Sequence, residues 1–410
     1  MRFVRARVES LNIDAVRTLA SRDGWLIETP QILRAGLGGS AFQLELPHGL
    51  DAPEGAFASL APLEVVGDDG PPGSGVVAFG SLPFERGDAS RLDVARYLIT
   101  VTKDATWVCA LEGDQGWRAL LADVEAPRQE TLFPRSLTYQ PTAEEYAHTV
   151  ARAVELLRRK ELDKVVLARA VLGTVPEAID PAALAARLRR REPLCTVYSL
   201  PVSGSRRYVG ASPELLARRE GDTVTCHPLA GTIALPAHVA PDDYQTWLLG
   251  STKNLHEHAV LVDDLVQLLA RHFDDIDADA TPSIVALRSV AHLGTWIRAT
   301  AHSSAPDALR VLALLHPTAA VGGIPRRAAH DLISELEETP RGHYAGPLGW
   351  VDAHGDGEWW VGIRGVLVRG TSFEAWAGAG IVSESDPTAE REETRDKLSS
   401  VLAALLAERV

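Results

Sequence analysis

The chain has 410 residues, enough for two or three ordinary domains or one large intertwined one. Its 46% hydrophobic and 23% charged residues are the proportions of a soluble globular protein with a sizeable core. A formal net charge of -14, without a long basic block, argues against nucleic acid and anionic membranes as partners, while leaving room for a small anionic ligand in a local pocket.

Residues 1 to about 125 read as strand-rich and mixed, with "AFQLELPHG" and "GVVAFGSLPF" as short apolar runs and "GDDGPPGSG" as a loop. "EAPRQETLFPRSLTYQPT" reads as an irregular connector. Thr142 and Glu145 then form a capping-box pattern ahead of a helix with Tyr146, Val150, Val154 and Leu157 on one face. "ELDKVVLARAVLG", residues 161–173, predicts a buried strand headed by Lys164, and Asp180 with Pro181 opens a helix after it. "CTVYSLP", "RRYVGAS", "ELLARRE" and "TVTCHPLAG" are strand-like, the last two joined by a Gly-Asp turn. A long helix is predicted from about Asp242 to Phe273, with a break near Gly250. "SIVALRSV" reads as one strand, residues 306–338 as mainly helical, and "GPLGWVDA", "EWWVGIRGVLV" and "FEAWAGAGIV" as a meander before a terminal helix from about Pro387. Strand runs with helices between some of them predict an α+β fold with large antiparallel or mixed sheets.

Cys109, Cys195 and Cys226 are widely spaced and form no CxxC pair, which argues against a disulfide framework or zinc site and for a reducing compartment. "MRFVRARVESLNIDAV" has no apolar core of a signal segment, and no window approaches the length of a membrane span. The expectation is a soluble cytoplasmic protein.

Several polar groups sit badly in a plain core. An ammonium group at the head of an apolar strand loses hydration, and either a partner offsets that loss or the proton is given up. Taken alone, Lys164 reads first as a strand-end lysine whose amine reaches water. Glu214 in "GASPELL" starts a strand directly after a proline, where burial favours a raised pKa. Glu257 lies close to the apolar stripe of Leu261, Leu265 and Leu268, and Glu390 and Glu393 share one face of the last helix. Facing carboxylates suit a hard cation such as Mg²⁺, and a solvated acidic face is the plainer alternative. His256 and His258 flank Glu257 but do not align on a helix, so no zinc is read there. Arg364 interrupts "WWVGIRGVLV", where a strand puts Trp360, Gly362 and Arg364 on one face and leaves room for a ligand carboxylate. "AGAGIV" allows backbone amides to approach an anion.

Taken in order, "DKVVLAR", "GASPELL", "HPLAGT", "HEH", "HLGT", "LHPTAAVGGIPR", "YAGPLGW", "VGIRG", "AGAGIVSESDP" and "EETRDK" resemble the chorismate-utilising enzymes and, within them, the isochorismate synthases. The resemblance is strong from about 140 to 408, and "VVAFGSLPF" extends it weakly toward the N-terminus. It implies a single large domain of two stacked mixed or antiparallel sheets wrapped by helices, with the active site in a cleft between them. Residues 1–135 would complete the sheets and 136–410 would form the chorismate-binding catalytic portion.

The resemblance also implies roles. Lys164 is the expected general base activating water for attack at C2 of chorismate, and Glu214 the general acid for the departing C4 hydroxyl. Glu257 and Glu393 are the expected Mg²⁺ ligands, with Glu390 nearby. Arg364 and Tyr344 would hold the enolpyruvyl carboxylate, helped by amides around Gly378 and Gly380. Lys397, His292, Gly231, Thr232 and Ala320 would complete the pocket wall. Such chemistry needs Lys164 neutral when it acts and Glu214 protonated near neutral pH.

Relatives that add ammonia carry glutamine where Lys164 stands, and aminodeoxychorismate synthases carry lysine in place of Ala230. Both departures argue against amine transfer. Salicylate synthase, which goes on to eliminate pyruvate, is the nearest alternative, and a non-catalytic anion-binding protein would be expected to have lost Lys164 or Glu214. Asn254 departs from the family, which usually has an acid there, and this bears on Mg²⁺ affinity. The resemblance implies a monomer acting on chorismate, its product feeding menaquinone, a catecholate siderophore or salicylate.

Overall fold

In the computed structural model, which describes residues 1–128, 132–202, 204–235, 241–301 and 305–406, the fold is organised by one long hairpin. Strands Ile32–Leu46 and Ser90–Thr102 pair antiparallel over their whole length, with register breaks around Ser40. Gly38 and Gly39, at φ of 79° and 76°, take the left-handed backbone that this irregularity requires.

Two arms of sheet grow from the hairpin. From its first strand the pairing passes through Trp25–Glu28, Thr196–Pro201, Arg207–Ser212, Gly365–Arg369 and Ser372–Ile381 to Lys164–Thr174. From its second strand it passes through Val77–Ser81, Pro347–Asp352, Gly357–Val361, Leu215–Glu220 and Thr223–His227 to Ile297–Thr300. Strand pairing therefore runs unbroken through 20 strands, and a separate three-stranded sheet joins Leu229–Ala234, Val290–Gly294 and Ser283–Ala286. Both arms feed one apolar core: Tyr198, Leu200 and Leu167 come from the first, Leu215 and Trp359 from the second. A second core lies where helices Ile13–Asp23, Pro181–Arg191 and Pro387–Leu405 bury Val16, Leu184 and Leu398 beside Val171 and Val209 of the first arm. Mixed helices and antiparallel sheets in one domain agree with the expected α+β class.

Local signals act as expected where the chemistry is local. The Thr142 hydroxyl accepts from the Glu145 amide at 3.3 Å and the Glu145 carboxylate accepts from the Thr142 amide at 2.9 Å, which starts helix Ala143–Arg158. Asp180 caps Pro181–Arg191. The helical segment after 240 is two helices, Pro241–Gly250 and Thr252–Leu269, the second capped by Ser251. Four expectations change. The connector contains strand Ser136–Gln140, paired with the end of the lysine strand; residues 129–131 lie outside the described residues. "TVTCHPLAG" divides into two strands, Thr223–His227 and Leu229–Ala234, because Pro228 lacks the amide a continuous ladder needs. "SIVALRSV" is split between two strands of a hairpin. "EWWVGIRGVLV" breaks between Gly357–Val361 and Gly365–Arg369, and Arg364 stands between them at φ 54°.

A candidate active site between the two arms

The lysine strand, Lys164–Thr174, is buried on both faces and pairs from Val165 to Thr174 with Ser372–Ile381. β-Branched and small residues suit such a strand, and Lys164 at its head is fully buried. Its Nζ lies 3.0 Å from Oε1 of Glu257, on helix Thr252–Leu269. The contact is an ion pair: among the described residues no group meets the amine with hydrogen-bond geometry. Gly380 makes this pairing possible, because a Cβ there would fall 2.1 Å from Glu257 Oε1 and 3.0 Å from Lys164 Cε. Its demonstrable contribution is space.

Glu257 is one of three glutamates that each face a lysine. Glu390 meets Lys253 at 2.5 Å, and Glu393 meets Lys397 at 2.5 Å. Burial pushes the Glu257 carboxyl up, but Lys164, Lys253 and Lys397 outweigh it and hold the carboxyl below its usual range. Glu390 is raised, first by burial and then by the charge of Glu393, against the pull of Lys253. This is not a solvated acidic face. Asn254, one turn before Glu257, is buried against Gly231, whose φ of 69° shapes the irregular strand Leu229–Ala234.

The opposite wall is built where the two arms join, together with the small three-stranded sheet. Glu214, immediately before Leu215–Glu220, is buried, and burial pushes its carboxyl up to about 7 although the Leu229 amide, Lys164 and Lys397 pull the other way. Arg364 is also buried. It donates from Nη2 to Nε2 of His292 at 3.1 Å and from Nη1 to the Ser400 hydroxyl at 3.2 Å. A guanidinium can only donate, so His292 Nε2 accepts and its proton is on Nδ1, 3.0 Å from the Thr232 hydroxyl. Burial and the Arg364 charge hold His292 neutral, well below its usual range. The left-handed backbone that aims Arg364 is uncommon for a non-glycine residue, and these contacts hold it there.

Between the two walls lies an open cleft of about 640 Å³, part of it continuous with solvent. It is lined by Glu214, Thr232, Glu257, His292, Ala320, Tyr344, Arg364, Gly378, Gly380 and Lys397 among the expected residues. Lys164 sits behind the lining against Glu257, and Glu393 behind Lys397, whose Nζ also donates to the Gly378 carbonyl at 3.1 Å. Gly231 and Glu390 act at one remove, the first through the bulged strand and the second through Lys253. Tyr344 stacks on Trp376 with ring centroids 5.8 Å apart, and burial raises its phenol to about 12.

The family model described as "Chorismate binding enzyme" matches residues 66–406. The chain belongs to this family. It is 36% identical to the vibriobactin-specific isochorismate synthase of Vibrio cholerae over 280 residues, 68% of this chain and 71% of that protein. It is also 36% identical to the isochorismate synthase EntC of Escherichia coli over 327 residues, 80% of each chain. The solved structure of MenF, the menaquinone-specific isochorismate synthase from Escherichia coli, superposes with a TM-score of 0.82 at 25% identity, covering 98% of this chain and 94% of that one. The family match begins inside the N-terminal third and takes in strand Val77–Ser81, which pairs directly with Pro347–Asp352.

For a chorismate-binding enzyme, the oxygen donors of Glu257, Glu393 and Glu390 have the chemistry of a hard-cation site. Among the described residues no three His, Cys, Asp or Glu side chains gather into a closed metal cluster, so any ion here would need waters or a ligand to complete it. His256 is exposed and His258 buried, the latter with Nε2 2.7 Å from the Thr295 hydroxyl, so the two rings diverge as their spacing predicts. Sequence reasoning missed Lys253, Val321 and Trp376. Lys253 was within reach, since it stands one helical turn before Glu257.

Proposed function

We propose that this protein is a Mg²⁺-dependent isochorismate synthase, adding water at C2 of chorismate and expelling the C4 hydroxyl. One observation carries the reading: a buried carboxyl raised to about 7, Glu214, lines one cleft, and a buried amine, Lys164, stands directly behind Glu257 of the same lining. The amine, when neutral, takes a proton from the attacking water as the new C2–O bond forms. The ring double bonds shift, and the C4–O bond breaks as Glu214 gives its proton to the departing hydroxyl, which leaves as water. A carboxyl at about 7 is protonated in a useful fraction near neutral pH and is still acidic enough to donate.

Chorismate is a dianion. Arg364, aimed by His292 and Ser400, and Lys397, anchored on Gly378, offer the fixed positive charge that its carboxylates need. The Tyr344 phenol, raised to about 12, stays protonated and remains a donor. Glu257 and Glu393 would hold Mg²⁺, with Glu390 nearby, and when bound the ion would neutralise the ring carboxylate and favour loss of the leaving group. In this reading residues 1–135 complete the sheets and 136–410 carry the chemistry. The enzyme works as a cytoplasmic monomer and supplies menaquinone or siderophore synthesis. No helix among the described residues is long and apolar enough to cross a membrane.

The test is incubation with chorismate and Mg²⁺ followed by chromatography. Chorismate and isochorismate should approach the same mixture from either side, without pyruvate. Stoichiometric pyruvate and salicylate would overturn the product assignment, and unchanged chorismate the whole reading.

A further inference from the structure

One edge of the lysine strand is incompletely paired by strands. Ser136–Gln140 covers Ala170–Thr174, and Gly323–Ile324 covers Lys164–Val165. Between them, the backbone of Val166 and Ala168 faces helix Arg326–Leu336 and the turn after it. Two side chains complete that edge. The Ala168 amide donates to Glu337 Oε1 at 2.8 Å, and Arg341 Nη2 donates to the Val166 carbonyl at 2.7 Å. A carboxylate and a guanidinium thus supply the acceptor and donor that a neighbouring strand would have supplied.

The pair is built with little slack. Arg341 Nε donates to Glu337 Oε2 at 2.8 Å and Nη2 to Oε1 at 2.5 Å, with the two side chains only 2% and 7% exposed. Nη1 donates to the Val321 carbonyl at 2.7 Å, and the guanidinium lies 4.4 Å from the centre of the Phe84 ring. The main-chain carbonyl of Arg341 accepts from the Tyr344 amide at 3.0 Å. Val166, Val321 and Tyr344 all line the cleft, and they come from three separate parts of the chain. One residue therefore hydrogen-bonds three residues of the cleft lining, and Lys164 is two residues from the first of them.

We propose that Arg341, oriented by Glu337, is a positioning residue that fixes the head of the lysine strand, and with it Lys164, against the Val321 and Tyr344 walls. It does not touch the reacting atoms. It sets the distance between the group that takes the proton and the walls that hold the ring. This rests on the reading of the cleft as the chorismate site.

Removing Arg341 alone leaves the Glu337 carboxylate buried and unpaired, which endangers folding. The test variant is therefore Glu337→Gln/Arg341→Met, which leaves no charge buried, with Arg341→Lys as the milder change that keeps the charge but loses the fork. For the folded double variant, kcat should fall about 10²-fold, the scale of an ångström-sized misplacement, while KM for chorismate stays within about three-fold. Arg341→Lys should recover part of kcat. Amide hydrogen exchange of segment 164–169, followed by mass spectrometry, should quicken in the double variant relative to the rest of the sheet. If kcat is unchanged while the wild-type protein turns over chorismate, the positioning role is wrong and the functional reading stands. If segment 164–169 exchanges no faster, the pair does not hold that strand, and the proposal fails whatever the wild-type activity.

Discussion

Glu214 and Glu257 are the same residue type, both buried, on facing walls of one cleft, and their carboxyls are displaced in opposite directions. Burial pushes both up. Around Glu257 the charges of Lys164, Lys253 and Lys397 overcome that push, so the group remains an anion. Around Glu214 the same kind of help is weaker, and the carboxyl settles at about 7. Counter-charge, more than burial, decides which glutamate can give a proton and which can hold a cation. On the proposed reading, the division of labour across the cleft follows from where the lysines sit.

The comparison can be broken most severely on the anionic wall. Glu257→Ala and Glu393→Ala should each lose most activity, and EDTA should abolish turnover of the wild type until Mg²⁺ is restored, as followed by isochorismate formation. Glu257→Ala also leaves Lys164 without its partner, at a cost of about 3–5 kcal/mol, so Glu257→Gln and a melting curve should accompany it. Full turnover in EDTA would remove the metal from the account. Next in size is Lys164→Ala, which should lower kcat by about 10²-fold or more while calorimetric affinity for chorismate changes far less. Lys164→Gln should be equally poor with water. Gly380→Ala should cost about ten-fold or more in kcat, because the new methyl displaces the Glu257–Lys164 pair; activity near wild type would show that the pair can shift freely. The smallest effect on turnover belongs to Lys253→Met. It should destabilise the fold by about 2–3 kcal/mol, less than a fully buried pair because Lys253 is partly exposed, with turnover reduced only a few-fold.

What the sequence makes legible here is what depends on near neighbours. The capping box at Thr142, the Asp180 cap, the apolar lysine strand and the helix break at Gly250 all follow from residues within a turn or two. The cleft residues were reachable because ordered motifs carried the family resemblance, and most of them meet in one place. Contacts between distant segments were not legible. Glu337 and Arg341 look like an ordinary helix-end pair in sequence, yet they finish the edge of a strand some 170 residues earlier (169 from Ala168 to Glu337). Arg364 reads as a strand residue flanked by glycines, whereas the chain turns there to aim its guanidinium at His292. Two of the three glutamate–lysine pairs belong to the same class: Lys397 stands one turn after Glu393 on the same helix, but only the tertiary fold matches Lys253 to Glu390 and Lys164 to Glu257.

The difference between the two glutamates is most directly measured by infrared difference spectroscopy of the wild-type protein against Glu214→Gln through the neutral pH range. The wild type should show a protonated-carboxyl band, absent in the variant, that disappears as pH rises through about 7, and kcat/KM should decline with it. A wild-type spectrum with no such band at neutral pH, or one that Glu214→Gln leaves unchanged, would contradict the account.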